Sequence, residues 1–258
     1  MRSIARSIGT VLAASLALTF FTMGANANDI SGVKLGMSLA EAKSAFSRPP
    51  NMKIITTQTD RAESGFAGWR GGIVTSRMVN GPADEFIAFK GKAETIWYIQ
   101  RNQRLDKADR YSRQALIEAT RKKFGKESFT YGDLNATHIP IIMAWEYGQD
   151  GKQFFGSYTD GPCRNFDLSQ IGISSGIGDR FLPEPMSIII PTEVQRTCGR
   201  AYYIEALSSV DGIVEAVAAR ALDGAAILRA IDGKNARDEA ENKQKTQQQL
   251  NKGVKPSF

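Results

Sequence analysis

The sequence is poor in the residues that most often build metal sites and redox sites. Its 258 residues include one histidine, His138, and two cysteines, Cys163 and Cys198. One imidazole and two thiols cannot supply the four ligands of a typical zinc site. Acids such as Asp160 and Asp179 are too scattered along the chain to predict a site for a hard cation. We therefore expect no metal and no other cofactor.

Long apolar runs are absent after residue 23. The first residues carry Arg2 and Arg6 and no acid, residues 8–23 are largely apolar, and Ala25-Asn26-Ala27 follows. A basic start, an apolar middle and an A-x-A end are typical of a secretory signal peptide. The apolar run is short for a bilayer span of about 20 residues. We predict a signal peptide over residues 1–27, cleavage after Ala27 and a periplasmic or secreted protein; an uncleaved anchor is the alternative.

A large net positive charge is also absent from the body of the chain. The formal net charge is +6, with 42% hydrophobic and 23% charged residues. This composition excludes collagen, coiled-coil rods, disordered chains and multi-span membrane proteins. Most of the positive excess lies in residues 1–27 and in the tail, residues 233–258. Nucleic-acid binding needs a clustered basic surface, so we expect no nucleic-acid partner.

The two cysteines both lie in the predicted exported part. An even number of cysteines in an oxidising compartment favours a disulfide, and we predict a Cys163–Cys198 bond. Two buried free thiols are the alternative. The pair is too widely separated for a thioredoxin-like redox motif.

Periodicity predicts a mixture of strands and helices. Ser38 and Glu41 form a capping-box pattern that starts a short helix, and further helices are predicted over residues 107–124 and 210–231. Turn residues such as Asn80-Gly81-Pro82 and Gly148–Gly151 separate the apolar runs. Strands are predicted at residues 30–34, 52–57, 72–79, 84–90, 94–101, 128–131, 139–147, 152–158, 186–191 and 200–207. We predict an α+β fold: antiparallel sheet or sheets with helices packed on one face, a C-terminal helix and a polar tail.

Three segments describe the domain organisation. After the signal peptide, residues 28–232 form an α+β body, either as one domain or as two lobes, 28–132 and 139–232. The tail, residues 233–258, is rich in Lys, Gln and Asn and lacks an apolar stripe. Such a segment cannot bury enough apolar surface to pack. We predict that it is flexible, either a frayed helical extension or disordered.

The opening of the predicted exported chain carries a resemblance. Leu35-Gly36-Met37-Ser38-Leu39-Ala40-Glu41-Ala42 is similar to the first turn and helix of small exported SmpA/OmlA (BamE-like) and β-lactamase-inhibitor-like modules. Residues 95–101, followed by the predicted helix and Lys123-Phe124-Gly125, also look like proteobacterial periplasmic domains of unknown function. The resemblance implies helices paired with an antiparallel sheet, in a non-catalytic, protein-binding scaffold. This chain lacks a lipidation cysteine and is about twice as long.

One short motif points to catalysis. Gly172, Ser174 and Gly176 match the G-x-S-x-G nucleophile elbow, which needs a strand before it, a helix after it and a later histidine. Here the surroundings read as a loop, and His138 precedes Ser174, which excludes the α/β-hydrolase order. We assign no catalytic residue. An envelope hydrolase that uses carboxylates or Ser174 stays an alternative, as does a small-ligand carrier with an apolar cavity.

The segment from Arg101 to Lys126 contains a strong excess of Lys and Arg beside aromatic residues. A basic surface with aromatic neighbours suits an acidic partner, whereas the alternative is the solvated face of an amphipathic helix. The main hypothesis is an exported, non-catalytic binding or scaffold protein. Its partner would be an envelope protein or an acidic ligand, and the sequence does not specify its oligomeric state. The candidate partner-binding residues are Trp97, Arg101, Arg104, Arg110, Arg113 and Arg121.

Overall fold

The computed structural model describes residues 29–58, 64–75, 80–91, 94–134, 139–163 and 194–251. These residues form ten strands, three α-helices and one short 3-10 helix, η1. The helices are α1 (Leu39–Ala45), η1 (Lys107–Asp109), α2 (Arg113–Phe124) and α3 (Gly224–Asn251). The strands are β1 (Asp29–Ile30), β2 (Val33–Lys34), β3 (Lys53–Gln58), β4 (Ser64–Thr75), β5 (Asn80–Lys90), β6 (Ile96–Arg104), β7 (Phe129–Tyr131), β8 (Ile141–Gly148), β9 (Cys198–Ser208) and β10 (Val214–Asp223).

Eight of the strands form one antiparallel sheet in the order β3-β4-β5-β6-β10-β9-β8-β7, beside a small β1-β2 hairpin. The order contains the same unit twice, a helix followed by a four-stranded meander. Helix α1 precedes β3 to β6, and helix α2 precedes β7 to β10. The last strand of each unit lies at the centre, where β6 pairs with β10. The predicted α+β class with an antiparallel sheet is confirmed.

The two units begin in the same way. Ser38 and Ser112 are the N-caps of α1 and α2, and each hydroxyl accepts a hydrogen bond from the amide three residues later. Each serine also forms an isolated bridge to the residue just before the central strand of its own unit, Thr95 or Ile213. A capped helix N-terminus therefore anchors each central strand, and the predicted Ser38–Glu41 capping box is present.

Both faces of the sheet carry apolar clusters. The first, the helix face, packs beneath α1, α2 and the β1-β2 hairpin, with Phe46, Phe66 and Phe86 in mutual contact. The second face packs against the disulfide and the start of α3, where Cys163, Cys198 and Ala226 are buried. Burial on both faces explains why the central strands are apolar on both sides.

The predicted disulfide is confirmed. Cys163 and Cys198 are bonded, with 4.6 Å between their Cα atoms. The bond ties the segment after β8 to the first residue of β9. Both of its cysteines are buried in the cluster on the second face of the sheet.

The predicted helix over residues 210–231 is wrong. Val214–Asp223 is a strand, β10, and α3 begins only at Gly224. The four alanines and the other apolar residues of this segment are compatible with a helix or a strand, because a short apolar run does not distinguish the two. Hydrogen bonding to β6 on one side and β9 on the other favours the strand.

Three other local predictions need correction. Asn80-Gly81-Pro82 is not a turn but the start of β5, where Gly81 is the register partner of Val74. Residues 152–158 do not form a strand. The turn at Gly148–Gly151 is present, but only an isolated bridge between Tyr147 and Gln153 follows it. The predicted helix over 107–124 is divided into η1 and α2, because Ser112 caps a helix that begins at Arg113.

Several predictions lie outside the described residues. These are the signal peptide, His138, Ser174, the strand at 186–191 and the last residues of the tail. In the described part of the tail, α3 continues to Asn251. The described side chains of Asp232 and beyond are exposed.

Candidate functional site

Two of the predicted partner-binding arginines lie on opposite faces of the sheet. Arg101 lies on the helix face, where it donates to both oxygens of buried Asp84 at 3.0 and 2.9 Å and to the hydroxyl of Ser31. Arg104 lies on the second face and donates to Glu85 at 2.8 Å, with both side chains buried. The alternation of side chains along β6 separates them.

The arginines in α2 and just before it are also held by the fold. Arg113 is 3% exposed and donates to the carbonyl oxygens of Ile139 and Asp133. Arg110 binds Glu215 at 2.7 Å, and Arg121 binds Glu127, whose pKa it lowers through their hydrogen bonds. Trp97 is 2% exposed. The structure therefore does not bring the six predicted residues together on one surface.

A chain of buried polar side chains crosses the second face of β5 and β6. The Tyr98 hydroxyl donates to Gln100 at 2.7 Å, and the Gln100 amide donates to Asn102 at 2.8 Å. Asn102 in turn faces Glu85, which also binds Arg104. All of these side chains are at most 9% exposed. A buried polar group without a hydrogen-bond partner is costly. The hydrogen bonds among these side chains therefore offset the cost of burying them.

The polar chain continues on the other unit. Arg220 of β10 is the register partner of Gln100 and of Tyr203, and it donates to Glu205 at 3.2 Å. Burial raises the pKa of Glu205, which Arg220 opposes by charge and hydrogen bond. Buried charges of both signs thus lie along the centre of the second face.

Glu146 on β8 is the buried acid most like a catalytic carboxyl. It is 1% exposed, and burial raises its pKa. A raised pKa in an accessible cleft is typical of a general acid. Here, however, Oε1 accepts from the Tyr203 hydroxyl at 2.6 Å and Oε2 from the Cys163 amide at 2.9 Å. A Cβ on Gly161 would lie 2.2 Å from Oε2, so the backbone closes directly over the carboxylate. The geometry gives Glu146 a structural task, holding the disulfide segment on the sheet.

A group of exposed aromatic residues lies at one end of the sheet. Tyr131, Phe155 and Tyr158 are 46%, 57% and 41% exposed. The rings of Tyr131 and Tyr158 meet edge to face at 5.0 Å, and the Lys126 ammonium lies 5.8 Å from the centre of the Phe155 ring. We call these four residues the aromatic edge patch.

The aromatic edge patch borders the outer edge of β7, which is the last strand in the sheet order. Gly156 donates its amide to the carbonyl of Ser128, and the Gln153 side chain donates to the carbonyl of Lys126. These bonds fix the loop that carries Phe155 and Tyr158 beside the edge. Sequence reasoning missed the patch because it placed both residues in a strand. The high density of aromatics in residues 153–158 was the available signal.

In the part of the chain that the structure describes, no group of three or more His, Cys, Asp and Glu residues could hold a metal ion. No helix among the described residues has the length and apolar character needed to span a bilayer.

Comparison of the chain with protein-family models, curated proteins and solved structures finds no match.

Proposed function

We propose that this protein is an exported, non-catalytic binding protein that recognises an acidic protein partner through the aromatic edge patch. One observation carries the proposal. Tyr131, Phe155 and Tyr158 are exposed beside a fixed loop and beside β7, the last strand in the sheet order of the described residues. Interfaces are enriched in aromatic residues, which supply large contact areas with few rotatable bonds.

The fixed loop makes the patch suitable for binding. Phe154 and Gly156, on either side of Phe155, donate their amides to the carbonyls of Glu146 and Ser128. Glu146 also holds the disulfide segment that follows the loop. A surface held in this way loses little conformational freedom when a partner binds.

Charge favours an acidic partner. Lys126 forms no ion pair with any described residue, whereas Arg121 is neutralised by Glu127. Cations beside aromatic rings attract carboxylates and speed association with acidic surfaces. An acidic, extended segment that adds to the outer edge of β7 would use both the positive charge and the strand edge. In such complexes, strand addition supplies backbone hydrogen bonds, and side-chain pockets supply specificity.

Site-specific photo-crosslinking in cells tests the proposal. A photo-crosslinking amino acid replaces Tyr158 in the tagged, exported protein, and the matched control replaces Tyr111, a tyrosine of similar exposure on the loop before α2. We expect one envelope protein to be captured at position 158 and not at position 111. Mass spectrometry should locate the crosslink in an acidic segment, and Lys126→Glu should strongly reduce its yield.

The outcomes separate the alternatives. Equal capture at both positions, or capture of a segment without acidic residues, would contradict the proposal. Capture of a second copy of this chain would show self-association at this edge instead. The expected export is tested independently by the N-terminus of the purified protein.

A further inference from the structure

A cavity of about 410 Å³ lies at the opposite end of β8 from Tyr131, where β8, β9 and the start of α3 meet. Small-molecule sites commonly have volumes of about 300–1,000 Å³. The turn Gly148–Gly151 and Gly199 form part of the wall. Its aromatic and charged side chains are Tyr147, Arg200, Tyr202, Asp223 and Arg229. None of them belongs to the aromatic edge patch.

Tyr202 supplies a hydroxyl donor to this cavity. The residue is 2% exposed, and its hydroxyl forms no hydrogen bond with any described residue. The ring is fixed by Phe124, whose centroid is 5.6 Å away. The hydroxyl of Tyr147, on the neighbouring strand, likewise has no partner among the described residues.

Both phenols are donors at neutral pH. Burial raises the pKa of Tyr202 to about 12, although the charge of Arg200 opposes the shift. Burial also raises the pKa of Tyr147. A protonated phenol that faces a cavity donates best to an oxygen acceptor, and to an anionic one in particular.

Two guanidinium groups complete the lining. Arg229 lies four residues after Ala225, so both face the cavity from the same side of α3. Arg229 forms no ion pair with a described residue. Arg200 lies 3.4 Å from Asp223, whose other oxygen accepts from the Ala226 amide at 2.8 Å. The Asp223 carboxylate is therefore shared between Arg200 and the start of α3. Arg200, Arg229 and Asp223 together leave one net positive charge in the lining.

We infer that this cavity binds a small molecule through a single carboxylate group. Arg229 and Arg200 form ion pairs with this carboxylate, and the hydroxyls of Tyr147 and Tyr202 donate hydrogen bonds to it. One net positive charge matches a monoanion better than a dianion, which favours carboxylate over phosphate. Planar guanidinium groups bind carboxylates in a two-pronged geometry, which suits an oriented small ligand.

Nuclear magnetic resonance of the exported protein with ¹³C-labelled tyrosine tests this site. The carboxylate probe is N-acetylglycine, its uncharged match is N-acetylglycinamide, and inorganic phosphate is the third probe. We expect N-acetylglycine to shift the ring signals of Tyr147 and Tyr202 saturably, and the amide to shift neither. Arg229→Gln should weaken binding by about tenfold or more, as expected for a lost charge-assisted hydrogen bond.

Two further variants keep the test independent of folding. Arg237→Gln, on the exposed part of the same helix, should bind like the natural chain. Tyr202→Phe should weaken binding without lowering the unfolding midpoint, because its hydroxyl has no hydrogen-bond partner among the described residues. Three results would overturn the site. They are no shift with N-acetylglycine, equal shifts with N-acetylglycinamide, and undiminished binding of N-acetylglycine by Arg229→Gln. Tighter binding of phosphate than of N-acetylglycine would overturn the carboxylate assignment.

Discussion

The hydroxyl of Tyr203 on β9 donates a 2.6 Å hydrogen bond to Oε1 of Glu146 on β8, while Oε2 accepts the amide of Cys163. One buried carboxyl thus connects two strands to the segment that carries the disulfide. This segment follows the loop with Phe155 and Tyr158. Glu146 is therefore the link between the core of the second face and the aromatic edge patch.

The stability of the protein should depend on the protonation of Glu146. Burial raises the pKa of Glu146 above its ordinary value of 4.5. The folded chain then holds a proton that the unfolded chain has lost, so this group lowers stability as pH rises from about 4.5 through the folded pKa. We expect the difference in unfolding free energy between the natural chain and Glu146→Gln to change over this range. Urea unfolding at several pH values measures it.

Glu239→Gln, on the exposed part of α3, is the matched control for this pH dependence. It should follow the natural chain at every pH. A Glu146→Gln profile parallel to that of the natural chain would show that Glu146 does not titrate differently on folding.

The Arg220–Glu205 pair should be structural. Both side chains are largely buried, with the ions 3.2 Å apart. Removing one partner of a buried pair leaves an uncompensated charge and costs about 3–5 kcal/mol. We expect a loss of this size in Arg220→Met. The double variant with Glu205→Leu should recover most of it, since replacing both ions with apolar groups is often neutral. Chemical denaturation checks both values, and a double variant no more stable than Arg220→Met would contradict the prediction.

The order of the sheet shows what could be predicted from local sequence. Strands β6, β8 and β9 were predicted because their apolar residues and flanking turns are local signals. β10 was not, because its alanine-rich sequence becomes a strand only through pairing with β6 and β9, which are distant in the chain. The repeated unit was hidden for a similar reason. Ser38 and Ser112 are equivalent in structure, but Glu41 of the first unit corresponds to Ala115 in the second.

The candidate sites were harder to predict than the fold. Sequence proximity grouped Arg101, Arg104 and Arg113 into one basic surface. Alternation along β6 and the burial of Arg113 separate them. The cavity beside Tyr202 combines residues from β8, β9 and α3, so its composition depends on the sheet order.

Loss of the disulfide should destabilise the protein without changing its topology. The Cys163–Cys198 bond spans 35 positions. Closing a loop of this length stabilises by about 4 kcal/mol in the chain-entropy model. We expect urea unfolding with and without reductant to differ by roughly this amount. The variant with both cysteines replaced by alanine should show no effect of the reductant. Equal stability of the oxidised and reduced protein would contradict the prediction.

Export should remove the N-terminal segment. The predicted signal peptide places the first residue of the mature protein at Asn28. Intact mass and N-terminal sequencing of the protein recovered from the periplasm or the medium should show a chain that begins there. A chain that still begins at Met1 and stays with the membrane would favour the uncleaved anchor.

Binding at the aromatic edge patch is the central claim, and the dissociation constant of the crosslinked partner tests it most directly. Phe155→Ser and Lys126→Glu should each weaken binding by about tenfold or more, since truncating a central aromatic residue or reversing an interfacial charge commonly costs that much. Tyr111→Ser is the control and should leave affinity unchanged. Unchanged affinity in Phe155→Ser and Lys126→Glu, with both variants folded, would contradict the proposed function.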